Sequence, residues 1–110
     1  METSFWACAV ITLASALTSL GFSVAAVRAA DAPGLTNARY AMSRSVALAI
    51  VSVVAIAYQS VPWLAAVAVA MVLVQAGDAL VGRMERDAVK TVGPAATAVL
   101  NLAALLWMLQ

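Results

Sequence analysis

The residues of this 110-residue chain that could do chemistry are few. The most telling is Asp78, set in the apolar stretch Pro62 to Gly82, PWLAAVAVAMVLVQAGDALVG. A carboxylate in a stretch long enough to cross a bilayer costs on the order of several kcal/mol unless it meets a partner or water. Gln75 lies three residues earlier, on the same helical face. The preceding apolar block is interrupted by Arg44, in Ser43-Arg44-Ser45. If the two stretches form a tight antiparallel hairpin turning about Val61, Arg44 and Asp78 are each 17 positions from the turn. At the rise of an α-helix both then sit ~26 Å below it, level with each other near the inner edge of the hydrocarbon. A guanidinium can donate two hydrogen bonds to a carboxylate, so each charge is the natural remedy for the other. The same counting brings Arg39 level with Arg83, a repulsion that both relieve by snorkelling into water. Counting about Ala88 brings Gln75 level with Asn101. The expectation is a polar cluster of Arg44, Gln75, Asp78 and Asn101 in the inner half of a bundle, with Ser19 and Ser43 as candidate neighbours.

Such a cluster has two readings. It is a structural clamp, an ion pair that fixes helix register while the amides tie helices together. Or it is a functional site, since ionisable groups within a membrane often mark substrate or proton paths. A shallow pocket opening to the cytoplasm would then take a polar headgroup, a quinone or a small ion. Other chemistries find little material here. The chain has no histidine and a single cysteine, Cys8, so an intrachain disulfide is excluded. The usual zinc, haem and catalytic-triad arrangements lose their ligands and bases. No metal site and no cofactor are expected, nor catalysis by this chain alone. A net charge of +1 gives no basic surface for nucleic acid. Cys8 and the scattered Met42, Met71, Met84 and Met108 read as packing residues.

The elements that must position the cluster are membrane spans. The chain is 65% hydrophobic and 10% charged, with mean hydropathy +1.02, and its apolar residues fall in long blocks. Four spans are expected, at residues 4–27, 40–58, 62–82 and 92–109. The first is read as a retained helix and not a signal peptide, because the amino end carries Glu2 and no Lys or Arg. Thr12, Ser15, Thr18 and Ser19 are spaced for one small-residue face of that helix. Asp31, Pro33, Gly34 and Asn37 predict a break and a turn over 28–39. Gln59, Ser60 and Val61 predict a tight turn, with Pro62 in the first turn of the third helix. Thr91 or Gly93 is expected to cap the fourth helix, with Pro94 just inside it. The fold class is an all-α integral membrane four-helix bundle, up-down-up-down with short connections, in a single domain over 1–110.

Charge asymmetry predicts the orientation. The basic residues Arg28, Arg39, Arg44, Arg83, Arg86 and Lys90 all lie in or beside the first and third connections. By the positive-inside rule those connections face the cytoplasm and both termini face out. Arg28, Arg39, Arg83, Arg86 and Lys90 are read as topology determinants at the lipid headgroups. Phe5, Trp6, Tyr58, Trp63 and Trp107 fall at the opposite level, where interfacial rings anchor. The expected location is the cell membrane (inner or plasma membrane), as a multi-pass protein.

Ser43-Arg44-Ser45, Val74-Gln75-Ala76-Gly77-Asp78-Ala79, Arg86-Asp87 and Lys90-Thr91-Val92-Gly93-Pro94 together resemble small bacterial membrane proteins of the DoxX-like group. The resemblance covers about the last 70 residues. It implies a four-helix membrane protein with an Arg in the second span, matched by Arg44, and an Asp in the third, matched by Asp78. Lys90 to Pro94 match the start of the fourth span. Some relatives in that group are linked to quinol-oxidase or redox complexes, but this chain shows no redox residue to carry that over. The functional expectation is a small membrane protein that acts by association, with itself or with a larger membrane complex. Its partners are then the bilayer and either a second copy or that complex. A transporter or channel formed by a homodimer is one alternative, and a lipid- or quinone-binding protein is a second. Small multidrug transporters are similar in size but carry their carboxylate in the first span, which here has none.

Overall fold

The computed structural model describes residues 3–110 and contains four α-helices joined by connections of two or three residues. They are α1 (Thr3–Ala29), α2 (Ala32–Ala57), α3 (Val61–Met84) and α4 (Ala88–Leu109). All four are long and apolar enough to cross a membrane, with mean hydropathy between 1.7 and 2.1 over their best windows. The fold is an all-α bundle of multi-pass membrane type.

Two boundaries differ from the sequence expectation. The second helix begins at Ala32 and not near Tyr40, so the predicted break over 28–39 shrinks to Ala30 and Asp31. Pro33 falls in the first turn, where its missing N–H is not needed, and Gly34 N–H donates to the Asp31 carbonyl at 3.1 Å. The residues that read as helix breakers start a helix instead. The fourth helix begins at Ala88 and not at 92, capped by Asp87 in place of Thr91 or Gly93. The Asp87 carboxylate accepts from Lys90 N–H at 3.1 Å. Pro94 therefore lies well inside α4 and leaves the Lys90 carbonyl without its i+4 donor. That carbonyl faces Gly82 of α3, where a Cβ would collide with it. The backbones of α3 and α4 thus meet closely where Pro94 leaves α4 a spare acceptor in mid-helix.

The two later connections share one design. Tyr58 is the C-cap of α2 and Glu85 that of α3, followed by Gln59 (φ 50°) and Arg86 (φ 57°) in the left-handed region. Ser60 N–H donates to the Ala55 carbonyl and Asp87 N–H to the Gly82 carbonyl, the long bond of a Schellman motif. Ser60 then caps α3 by accepting from Trp63 N–H at 3.2 Å, as Asp87 caps α4. Each turn reverses the chain in three residues, which fixes antiparallel neighbours.

Helix α1 touches all three others, α1 and α3 meet across the bundle, and α2 and α4 do not touch. The cross-section is a rhombus with α1 on its short diagonal. Apolar packing is concentrated at the end that holds both termini and the α2–α3 turn. There Phe5, Cys8 and Ala9 meet Ala55, Leu64, Val67, Ala68, Ala104, Leu105 and Met108. Phe5 is therefore a core residue and not an interfacial anchor. Toward the opposite, charged end the interior narrows to Ser19, Ser23, Ala38, Ser45 and Gly82. Between 22% and 28% of each apolar window is buried, so most of every helix surface is left to lipid.

Gly82 and Gly77 provide a matched test. Gly82→Ala forces apart the α3 and α4 backbones, with an expected loss of about 1–3 kcal/mol. Gly77 has nothing near its Cβ direction, so Gly77→Ala is expected to be neutral or stabilising by about 0.5–1 kcal/mol. Thermal unfolding in detergent checks both.

Candidate intramembrane polar site

Arg44 on α2 and Asp78 on α3 meet, and they form the only ion pair among the described residues. One nitrogen does the work: Arg44 Nη2 donates to Asp78 Oδ1 at 3.2 Å and to Oδ2 at 3.5 Å. This is a single nitrogen straddling the carboxylate, not the two-nitrogen fork. The side chains are 46% and 31% exposed, so the pair lies on the flank of the bundle along the α2–α3 edge and not in its interior. The pair is therefore partly open to its surroundings and not sealed within the bundle.

The two amides go elsewhere, into the interior. Gln75 is buried and donates from Nε2 to the Ser15 carbonyl of α1 at 3.3 Å. Asn101 is fully buried and donates from Nδ2 to Thr12 Oγ1 of α1 at 2.9 Å. Cys8 Sγ lies 3.8 Å from the same hydroxyl, which extends a weak chain toward the apolar core. Asn101 Oδ1 is left without a hydrogen-bond partner. The four side chains expected as one cluster thus form two groups, the flanking Arg44–Asp78 pair and an interior amide layer anchored on α1.

A third group joins α1 to α2. Ser45 Oγ lies 2.9 Å from Ser19 Oγ and 3.1 Å from Ser23 Oγ, and Ser23 Oγ donates to the Ser19 carbonyl at 2.8 Å. With the Ser23 proton committed there, Ser19 donates to Ser45 and Ser45 to Ser23. Every hydroxyl proton is placed. Ser43 is exposed and takes no part. Thr18, expected on the packed face of α1, is exposed and donates to its own Ala14 carbonyl.

The remaining charges and rings lie at opposite ends. Arg28, Arg39, Arg83, Arg86 and Lys90 are exposed at the charged end. Trp6, Tyr58, Trp63 and Trp107 are exposed at the other, where Tyr58 and Trp63 stack with centroids 5.9 Å apart and planes 9° apart. An open groove of about 600 Å³ runs along α4, lined by Thr91, Val92, Ala95, Ala96, Val99 and Leu100. It belongs to the lipid-facing side of a helix that does not touch α2, so it is separate from Arg44.

Sequence reasoning did not assign Thr12 and Ser15 as the partners of the amides. The signal was available. Thr12 and Asn101 lie at similar distances from the two helix ends at the termini, but no turn joins α1 to α4 and so no turn anchors the count.

The fold and these groups define a small multi-pass α-helical membrane protein with a flanking ion pair and an interior amide layer. Comparison of the chain with protein-family models, curated proteins and solved structures finds no match.

The amide layer yields a prediction. Thr12→Val removes the one side-chain hydrogen-bond partner of Asn101 among the described residues and is expected to cost about 1–2 kcal/mol. Asn101→Leu removes the orphaned oxygen together with the amide and is expected to cost less than Thr12→Val, or nothing. Thermal unfolding of the two single variants and the double variant reads the difference.

Proposed function

We propose that this protein acts by association within the membrane, with itself or with a larger membrane complex, and not by catalysis. In this reading Arg44–Asp78 is the clasp that holds the α1–α2 hairpin to the α3–α4 hairpin at the charged end. The observation that carries it is the position of the pair: it bridges α2 and α3 where the interior offers only small residues to hold them. The large share of each span left unburied supports association, since that surface is free to meet another protein. The resemblance to the DoxX-like group, carried by the segments around Arg44, Asp78 and Lys90 to Pro94, adds the same placement of Arg and Asp. The charged end is assigned to the cytoplasm and both termini to the outside, on the asymmetry of basic residues. The membrane assigned is the cell membrane.

The clasp predicts a non-additive cycle in neutral detergent. Asp78→Asn and Arg44→Gln are each expected to lower stability by about 1–3 kcal/mol, between the values for exposed and buried pairs. The double variant is expected to recover much of that loss. Additive losses would rule out the clasp, and a monomer in both detergent and bilayer crosslinking would rule out self-association.

Topology is checked by cysteine labelling, because native Cys8 is fully buried. Met84→Cys is expected to react only after the membrane is opened, and Gln59→Cys to react from outside. The reverse pattern would invert the assigned orientation.

A further inference from the structure

We propose that Arg44 is the phosphate ligand of an anionic phospholipid, held between α2 and α3 in the leaflet at the charged end. The proposal goes beyond the association reading and begins from the donors that Arg44 leaves idle. A guanidinium carries five N–H groups, and here only Nη2 donates to Asp78. Its Nε and Nη1 make no hydrogen bond among the described residues, and nearly half the side chain is exposed. At the level of the Arg44 backbone there is no water for those donors, so they are met only toward the headgroups.

Depth decides what can reach them. The stacked Tyr58 and Trp63 mark one interface. Arg44 is 14 positions from Tyr58, and Asp78 is 15 from Trp63. At the helical rise, both Cα atoms lie ~21–22 Å below those rings, in a hydrocarbon layer of ~30 Å. The remaining ~8 Å to the far headgroups is a gap that an arginine closes by snorkelling. Helix α2 begins at the charged end, so the Cα–Cβ bond of Arg44 tilts that way. Tyr40 sits one turn nearer the headgroups on the same face, 73% exposed, with a phenolic donor at headgroup level. Arg39 and Arg83 are both exposed and without an acidic partner among the described residues. They lie on other faces of α2 and α3 but nearer the headgroups, and the positive charge they add at this end favours an anion over a zwitterion. Asp78 orients the guanidinium and competes with the phosphate for it. Removing that carboxylate therefore strengthens the lipid contact, the opposite of what loss of a purely structural clasp does.

The test is thermal unfolding of the full chain in neutral detergent, titrated with short-chain phosphatidylglycerol, phosphatidylcholine or inorganic phosphate. Wild type is expected to show a saturable rise in Tm with phosphatidylglycerol, at a midpoint at least tenfold below that for phosphatidylcholine. Asp78→Asn is expected to respond severalfold more tightly, and Arg44→Gln to lose the saturable response. Equal responses to the two lipids, or a wild-type response in Arg44→Gln, would overturn the proposal. A matching rise with inorganic phosphate alone would overturn the lipid assignment and leave a free-phosphate site. Should Arg44→Gln fail to fold, a weaker response in Asp78→Asn than in wild type overturns it. A failed clasp cycle lowers no lipid selectivity, so the two readings fail separately.

Discussion

Within the hydrocarbon, a polar side chain has no solvent to fall back on, and the arrangement of this bundle follows from where each one finds a partner on another helix. Asn101 ties α4 to α1, Gln75 ties α3 to α1, the serine triad ties α2 to α1, and Arg44–Asp78 ties α2 to α3. Three of the four ties end on α1. That requires α1 to present small residues, so that neighbouring backbones come near enough for a short side chain to span the gap. Thr12, Ser15, Ala16, Ser19 and Ser23 supply such a face and are all buried. The ties also fix axial register, which greasy contacts between Val, Leu and Ala do weakly.

Along the bundle axis the means of cohesion change. At the end with the termini, Phe5, Leu64, Leu105 and Met108 fill the interior, and dispersion holds the helices. In the middle the amides reach α1. At the charged end the interior is serine and alanine, and α3 and α4 are held by the close approach of Gly82 to Lys90. The α2–α3 edge there has little beyond one half-exposed ion pair. Local opening is cheapest where the fewest apolar contacts are lost, so this edge is the yielding part of the fold.

Much of the fold was legible because a bilayer imposes length and polarity so strictly that four apolar blocks read as four helices. The level of Arg44 with Asp78 was legible too, because a three-residue turn makes counting from Val61 reliable. Three things were hidden. Pro33 and Gly34 carry the composition of a turn, yet they stand in the first turn of α2, where proline is tolerated. Pro94 looked like a helix start because its composition signal is the same, and the close approach of Gly82 to the Lys90 carbonyl is a contact between helices that the order of residues does not show. The separation of the amides from the ion pair depended on rotational phase, and depth counting carries none.

That phase explains why the charges flank the bundle. Successive residues on an α-helix are turned by about 100°, so a fully buried Ser45 leaves Arg44 no place in the same interior. A buried Gln75 likewise turns Asp78, three residues on, about 60° off the inward direction. The interior they would otherwise enter is lined by buried serine hydroxyls already hydrogen-bonded to one another. The serine seam and the amide layer thus decide the position of the pair before the attraction between its charges does. Both side chains are directed to the shared edge of α2 and α3, where they reach each other and still leave guanidinium donors facing out.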